Sequence, residues 1–334
     1  MSNMGPSKHK PALGRFVTNQ FDEIYKQDGI NASLFLMPEQ AYEYKSSFLR
    51  YFYYLFSFIY FCTKSKVKFD IIHIHFFYPT VLIAYLYKLF FNRKVQFVAT
   101  FHGTDVYAYS IKNSLYKYFI RKLKSRIYVS NKLAERHRHL TGRTAVISAG
   151  ILNIFSYKKT VSKKYDFIFV GNLERVKGAD RLLRLISENP DKTFLVIGNG
   201  AYAEQFNSLK SKGLTYIKSA TPEMLCQFFN ESSCLVNLSR NESFGLVITE
   251  ALSCGVPVIA TKTDGALEQL VEKKLGVVVE QNYSNCDIQQ AFNRLTRDNS
   301  EEATTAKIDF AQQYQLKHIA NRVISEYKYA IEKR

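Results

Sequence analysis

The sequence predicts an α/β protein built on two doubly wound parallel sheets. Short apolar runs alternate with stretches of helical length, and this rhythm restarts near Asp166. The 334 residues also suffice for two domains of about 150 residues each.

In the first half, residues 31–37, 69–75 (FDIIHIH) and 95–100 (VQFVAT) read as strands, followed by 127–130 and 145–148. Long aromatic segments separate the first three, which is what crossover connections between parallel strands need. The glycine at Gly14 precedes a helix starting near Phe16, so its loop is a phosphate seat at a helix N-terminus. Mixed small, aromatic and basic residues without periodicity place an interdomain linker at 149–164. Strands at 166–170, 214–217, 234–238, 258–261 and 277–280, with another opening FLVIGNGAYA at Phe194, then form the second domain. An amphipathic segment, 316–334, closes the chain.

Net charge is +17 and unevenly spread: residues 1–150 hold 22 Lys and Arg against 8 Asp and Glu, and the rest hold 24 against 21. Such a field suits nucleic acid or an anionic membrane surface. The helix expected at 42–63 contains FLRYFYYLFSFIYF, in which only Arg50 is charged. That run is shorter than the about 20 apolar residues of a bilayer span, so it reads as interfacial, with Lys45 and Arg50 at one end and Lys64, Lys66 and Lys68 at the other. A core helix packed on the sheet is the rival reading. A second basic run, Arg121, Lys122, Lys124 and Arg126, fits either a membrane or a solvated face. The aromatic run is too continuous for a base-stacking platform, so the expected partner is an anionic membrane surface and not nucleic acid. Five cysteines without a C-x-x-C pair, and no secretory signal, lead us to expect reduced thiols in a cytoplasm, with the protein peripheral on the inner membrane face.

The stretch NESFGLVITEALSCGVPVIATKTD, 241–264, carries the most chemistry. Glu242 and Glu250 bracket a helix that begins after Gly245, and the bare N–H groups of a helix start, with its dipole, attract a phosphate. Carboxylates on either side accept hydrogen bonds from sugar hydroxyls, so a sugar nucleotide is the implied ligand. FHGTDV at 101–106 ends a strand, where an open parallel sheet lines its ligand crevice; His102 and Asp105 stand there. His73 and His75 are expected on opposite faces of their strand, one toward a ligand and one in the core, which argues against zinc. No D-x-D occurs in the chain.

Glu242, seven intervening residues and Glu250, with Phe244, Gly245 and Leu246 between and EALSCGVPVIAT after, resemble the signature of the family 4 retaining glycosyltransferases of the GT-B fold. The resemblance implies two Rossmann-like domains facing across a cleft: 1–150, acceptor-binding and completed by 316–334, and 151–315, nucleotide-sugar-binding. Family members have an apolar first strand upstream of the Gly14 loop, so that strand is expected to be missing here or to precede the recorded start. The histidine of the HGTD tetrad, 102–105, is implied to approach the donor sugar and phosphate, giving His102 a catalytic role with Asp105 as helper; His75 and Asp105 are assigned to the acceptor. GNLERVKG, 171–178, resembles the family's phosphate loop; Lys177 fits, and Asn172 stands where an arginine is usual, with Arg175 the substitute cation.

The resemblance implies a metal-independent, retaining transfer without cofactor, from a nucleotide-sugar donor to a saccharide or lipid-linked saccharide acceptor in cell-envelope polysaccharide assembly. Lys177 and Glu242 join His102 as catalytic residues. Gly14, Asn172, Arg175, Ser243, Phe244, Gly245, Leu246 and Glu250 complete the donor site. A competing reading is an NAD(P)-dependent oxidoreductase, from G-x-G-x-x-A at 198–203; against it, the next strand ends in Lys218 and Ser219, not in an acidic residue. A basic nucleic-acid- or membrane-binding protein and a non-catalytic sugar-nucleotide sensor also compete.

Overall fold

A computed structural model describes residues 1–5, 13–107, 114–209, 212–271, 273–298 and 300–333. The chain forms two compact units, Met1–Gly150 with Leu316–Arg334, and Ile151–Gln315.

The first unit holds a parallel sheet in the order β1 (Ile71–His75), β2 (Gln96–Phe101), β3 (Ser125–Tyr128), β4 (Arg143–Val146). Its helices are α1 (Arg15–Tyr25), α2 (Ser47–Ser65), α3 (Phe77–Phe90), α4 (Thr104–Tyr107), α5 (Ser114–Ile120) and α6 (Asn131–Glu135). The last helix of the chain, Leu316–Glu332, returns to this unit. Register assigns the faces. Ile72 pairs with Phe97 and His73 with Val98, and successive strand residues point to opposite sides. Phe97 meets Tyr85 of α3, with ring centres 6.2 Å apart, whereas His73 meets Tyr327 of the last helix at 5.5 Å. The two helices therefore cover opposite faces, and α2 and α5 flank α3 through Phe58–Tyr87 and Phe77–Tyr116 contacts.

The expected strand at 31–37 is not formed. Leu36 makes a single parallel bridge to Ser2, and Ser2 bridges in turn to His75 on the open side of β1. The Tyr54 hydroxyl pins this bridge by donating to Ser2 O at 2.7 Å. A neighbour that short offers 31–37 no ladder to join.

The second unit holds six parallel strands in the order β10-β9-β8-β5-β6-β7. They are β5 (Tyr165–Val170), β6 (Phe194–Ile197), β7 (Leu214–Ile217), β8 (Ser232–Asn237), β9 (Val258–Thr261) and β10 (Gly276–Val279). The helices are α7 (Ala179–Glu188), α8 (Ala203–Ser208), α9 (Pro222–Asn230), α10 (Leu246–Ser253), α11 (Asp264–Ala266), α12 (Asn285–Arg297) and α13 (Glu301–Gln312). Both faces are covered, as an all-parallel sheet requires. Ile168, Leu195 and Leu235 pack with Phe229, Ile248 and Leu252 on one side, and Phe167, Phe169 and Val236 with Ile186, Ile288 and Phe292 on the other. The boundary between the units, after Gly150, falls in the stretch 149–164 expected as the linker, and the rest of that stretch joins the second unit, with Ile151 and Phe155 buried in the first of these cores. Its lack of periodicity reflects irregular backbone, held by Lys158 N donating to Asn230 at 2.6 Å, not exposure.

Candidate functional site

In the second unit the strand order reverses between β5 and β8, so the loops after these strands diverge and open a crevice at the carboxyl edge. The loop after β5 is 171–178, ending in a short 3-10 turn, Arg175–Lys177. The loop after β8 runs through Ser239 to Gly245 and into α10. The two loops touch closely at Gly178, whose φ is +80° and where an added Cβ would overlap the Leu238 carbonyl. Only glycine meets both demands.

Charge then fastens one loop to the other. Lys177 Nζ pairs with Glu242 Oε2 at 2.5 Å, with both side chains largely shielded. Arg240 forks onto both oxygens of Asp180 at 2.7 Å, donates to Arg175 O at 2.5 Å, and uses its backbone N–H on Val176 O at 2.8 Å. This bidentate pairing holds the Asp180 carboxyl below its ordinary range. Asn172 and Arg175 are exposed on the same loop. Sequence reasoning missed the Arg240–Asp180 clamp; its only signal was a cation directly before NESFG.

Helix α10 begins after Gly245, and no side chain caps its first turn among the described residues. Its start is held from behind by Gln269, which is fully buried and donates to Phe244 O at 2.6 Å while accepting from Thr249 Oγ1 at 2.7 Å. Phe244 turns its ring into the core against Tyr314, so its contribution to the crevice is backbone. Ser243 and Leu246 are half-buried beside it. Glu250, one turn into the helix, is half-buried, and desolvation pushes its carboxyl up to about 7. The glycines of the G-x-G-x-x-A stretch serve packing: a Cβ on Gly198 would overlap the Gly171 carbonyl, and Tyr216 Oη donates to Gly198 O at 3.0 Å.

In the first unit the carboxyl edge of β1 and β2 carries three histidines in a row. His73 and His75 lie on one face, with ring centres 4.3 Å apart, which corrects the expectation that they point apart. Residues two apart on a strand share a face. His75 Nδ1 meets His102 Nε2 at 3.1 Å, and His73 bonds Tyr327 Oη at 2.7 Å and Thr100 Oγ1 at 2.8 Å. Burial holds all three imidazoles below their ordinary range, His102 at about 3, so they are neutral hydrogen-bonding groups. Gly14 caps α1 with φ +73°, and that helix brings Phe16 to 4.9 Å from the His102 ring.

Asp105 is buried and accepts from the backbone N–H groups of Phe77, His102 and Gly103, each at 3.0 Å. Desolvation outweighs these bonds and raises its carboxyl to about 6. His75 is buried as well, and both side chains are turned inward: Asp105 onto the N–H groups of His102 and Gly103, His75 onto the His102 ring. His75, His102, Asp105 and Gly14 belong to the first unit; Asn172, Arg175, Lys177, Glu242 to Leu246 and Glu250 belong to the second.

Residues 31–151 match the family described as Glycosyltransferase Family 4, and residues 153–309 match Glycosyl transferases group 1. An uncharacterized glycosyltransferase of Methanocaldococcus jannaschii is 30% identical over 231 residues, 65% of this chain and 62% of the relative. The N-acetyl-alpha-D-glucosaminyl L-malate synthase of Bacillus anthracis is 24% identical over 239 residues, with the same shares. The chain thus spans somewhat under two thirds of the length of each of these relatives. Among solved structures, HepE of Anabaena in complex with UDP and glucose superposes with a TM-score of 0.67 at 18% identity, covering 92% of this chain and 89% of that one, which shows the fold. With both of its parallel-sheet units those of the GT-B fold, and adjoining matches that take in most of its length, the chain belongs to glycosyltransferase family 4.

Proposed function

We propose that the protein is a retaining glycosyltransferase that moves a sugar from a nucleotide-sugar donor to a saccharide acceptor. The observation that carries this reading is the Lys177–Glu242 pair beside the uncapped start of α10, at the reversal point of the second sheet. Cleaving the bond between anomeric carbon and diphosphate builds negative charge on the leaving phosphate and positive charge on the sugar ring. A fixed cation and backbone N–H groups stabilise the first. In this reading Lys177, Arg175 and the amides of 244–246 meet the diphosphate, Glu242 orients the sugar, and Glu250 accepts from the ribose hydroxyls.

His102 would act as a neutral imidazole, because burial excludes the cation. Nε2 is engaged by His75, so in this reading Nδ1 is the nitrogen that meets substrate. The cations of the phosphate loop supply charge neutralisation from the chain itself, which supports a transfer that needs no metal. The UDP and glucose held by the similar HepE structure support a sugar nucleotide as donor class. The basic, aromatic first unit suits a lipid-linked saccharide acceptor, and thus a place in cell-envelope polysaccharide assembly. Among the described residues no helix is long and apolar enough to cross a membrane.

A thermal-shift screen of the purified chain against nucleotide sugars tests the donor reading. One compound is expected to raise the melting temperature through preferential binding to the folded state, and Glu250→Ala to reduce that shift. No stabilisation by any sugar nucleotide, together with no release of nucleotide on incubation, would reject it.

A further inference from the structure

Helix α2 buries Tyr54, Phe58 and Cys62 against the first unit, which leaves its other side to solvent. On an ordinary surface helix that side is polar. Here it carries Phe48 (75% exposed), Phe52 (50%), Phe56 (54%) and Tyr60 (66%), one turn apart along a single stripe. Phe52 lies 6.2 Å from Phe48 and 4.6 Å from Phe56, ring centre to ring centre, so the stripe is continuous. The helix is apolar on both sides, and a contiguous exposed patch of this kind marks a surface that something covers.

The patch extends onto neighbouring elements of the same sheet face. Phe61 stacks on Phe69 at 6.2 Å and Phe69 meets Tyr87 at 5.6 Å, which brings the end of α2 beside the end of α3, where Phe90 is 77% exposed. Tyr118 of α5 continues the layer through Tyr85, at 6.5 Å. Lysines lie against two of these rings, Lys64 Nζ 5.9 Å from the centre of Tyr60 and Lys122 Nζ 5.1 Å from that of Tyr118. Residues 44–134 contain 15 Lys and Arg and only two acidic residues, Asp70 and the buried Asp105.

Three occupants would cover apolar area, and charge separates them. A second copy would press like charge on like, since each chain carries +17. A nucleic acid would pair with the lysines and leave the aromatic stripe wet. An anionic lipid surface satisfies both, because rings enter the interface while lysines reach the headgroups. We propose that the outward face of α2, with the ends of α3 and α5, docks on an anionic lipid bilayer with α2 lying in the plane of the interface. This rests on the surface of the first unit alone and holds whatever the donor site binds.

Vesicle sedimentation of the full chain tests it. Binding is expected to vesicles containing phosphatidylglycerol, not to pure phosphatidylcholine, and to fall at high salt. Each basic residue near such a surface contributes about 1 kcal/mol, so Lys64→Gln/Lys66→Gln/Lys68→Gln should weaken partitioning by about tenfold or more. Phe52→Ser/Phe56→Ser should do the same at every salt concentration. Hydrogen exchange on the unaltered chain supplies a reading independent of any variant, and anionic vesicles should protect 47–65. Unchanged partitioning in both folded variants, protection confined to other segments, or retention by RNA without vesicle binding would overturn the proposal.

Discussion

At the carboxyl edge of the second sheet the side chains carry charge, and at the same edge of the first sheet they are neutral. Lys177, Glu242, Arg240 and Asp180 form short ion pairs within reach of water, whereas His73, His75 and His102 are desolvated and hydrogen-bonded to one another and to Tyr327 and Thr100. Both edges are built from parallel strands of similar length, so the residues at the strand ends and in the loops after them set this difference. In the second unit glycine-rich loops let two charged segments approach backbone to backbone; in the first, Asp105 draws three N–H groups inward, while alternation along β1 puts His73 and His75 on one face beside His102. In the proposed reading one edge meets a diphosphate and the other meets hydroxyl groups and a developing cation, which a protonated histidine would repel.

The charged edge breaks most visibly at Lys177. If it stabilises a leaving phosphate, Lys177→Ala should lower turnover by about 10² to 10³-fold, the usual cost of one preorganised donor at a developing charge. The melting temperature should hardly move, because a partly exposed ion pair is worth about 1 kcal/mol or less. Steady-state turnover with the donor found in the thermal-shift screen decides this, and a tenfold or smaller loss would mean that Lys177 only ties two loops together.

The neutral edge breaks at Asp105. Asp105→Ala leaves three backbone N–H groups of a buried turn without an acceptor, and unfolding free energy should fall by about 2 to 3 kcal/mol or more. Asp105→Asn retains one acceptor oxygen and should cost less. Denaturant unfolding of the two variants checks the order, and equal stability to the parent would show that the turn holds itself.

Much of this comparison was legible in the sequence, and the reasons it stopped are physical. Strand rhythm gave the fold class because fully buried parallel strands write continuous apolar runs, as in FDIIHIH and YDFIFV. The family showed itself where backbone and chemistry coincide, in NESFGLVITEALSCGVP. Partners distant in sequence did not show. Nothing near Asp180 announces Arg240, and Gln269 in LEQLV reads as one more helix residue although it anchors the Phe244 carbonyl. The strand expected at 31–37 failed because pairing depends on a neighbour, and that neighbour is a single bridge at Ser2.

The smallest expected effect is also the most selective, and it concerns the one group on the charged edge that burial pushes toward neutrality. Glu250 is raised from an ordinary 4.5 to about 7, so the folded chain retains a proton there that the unfolded chain releases. Its contribution to stability is full below about 4.5 and is lost as pH rises through about 7. Donor binding should run the other way, because a carboxylate accepts from ribose hydroxyls more strongly than the acid does. Between pH 6 and pH 8 the ionised fraction climbs from about a tenth to about nine tenths, so affinity should rise by up to about tenfold. Glu250→Gln should flatten that rise, while the phosphate contacts of Lys177 continue to hold the donor weakly at every pH. Isothermal titration across this range separates the cases: a flat profile in the parent, or the same slope in Glu250→Gln, would remove Glu250 from the ribose and leave the charged edge to the phosphates alone.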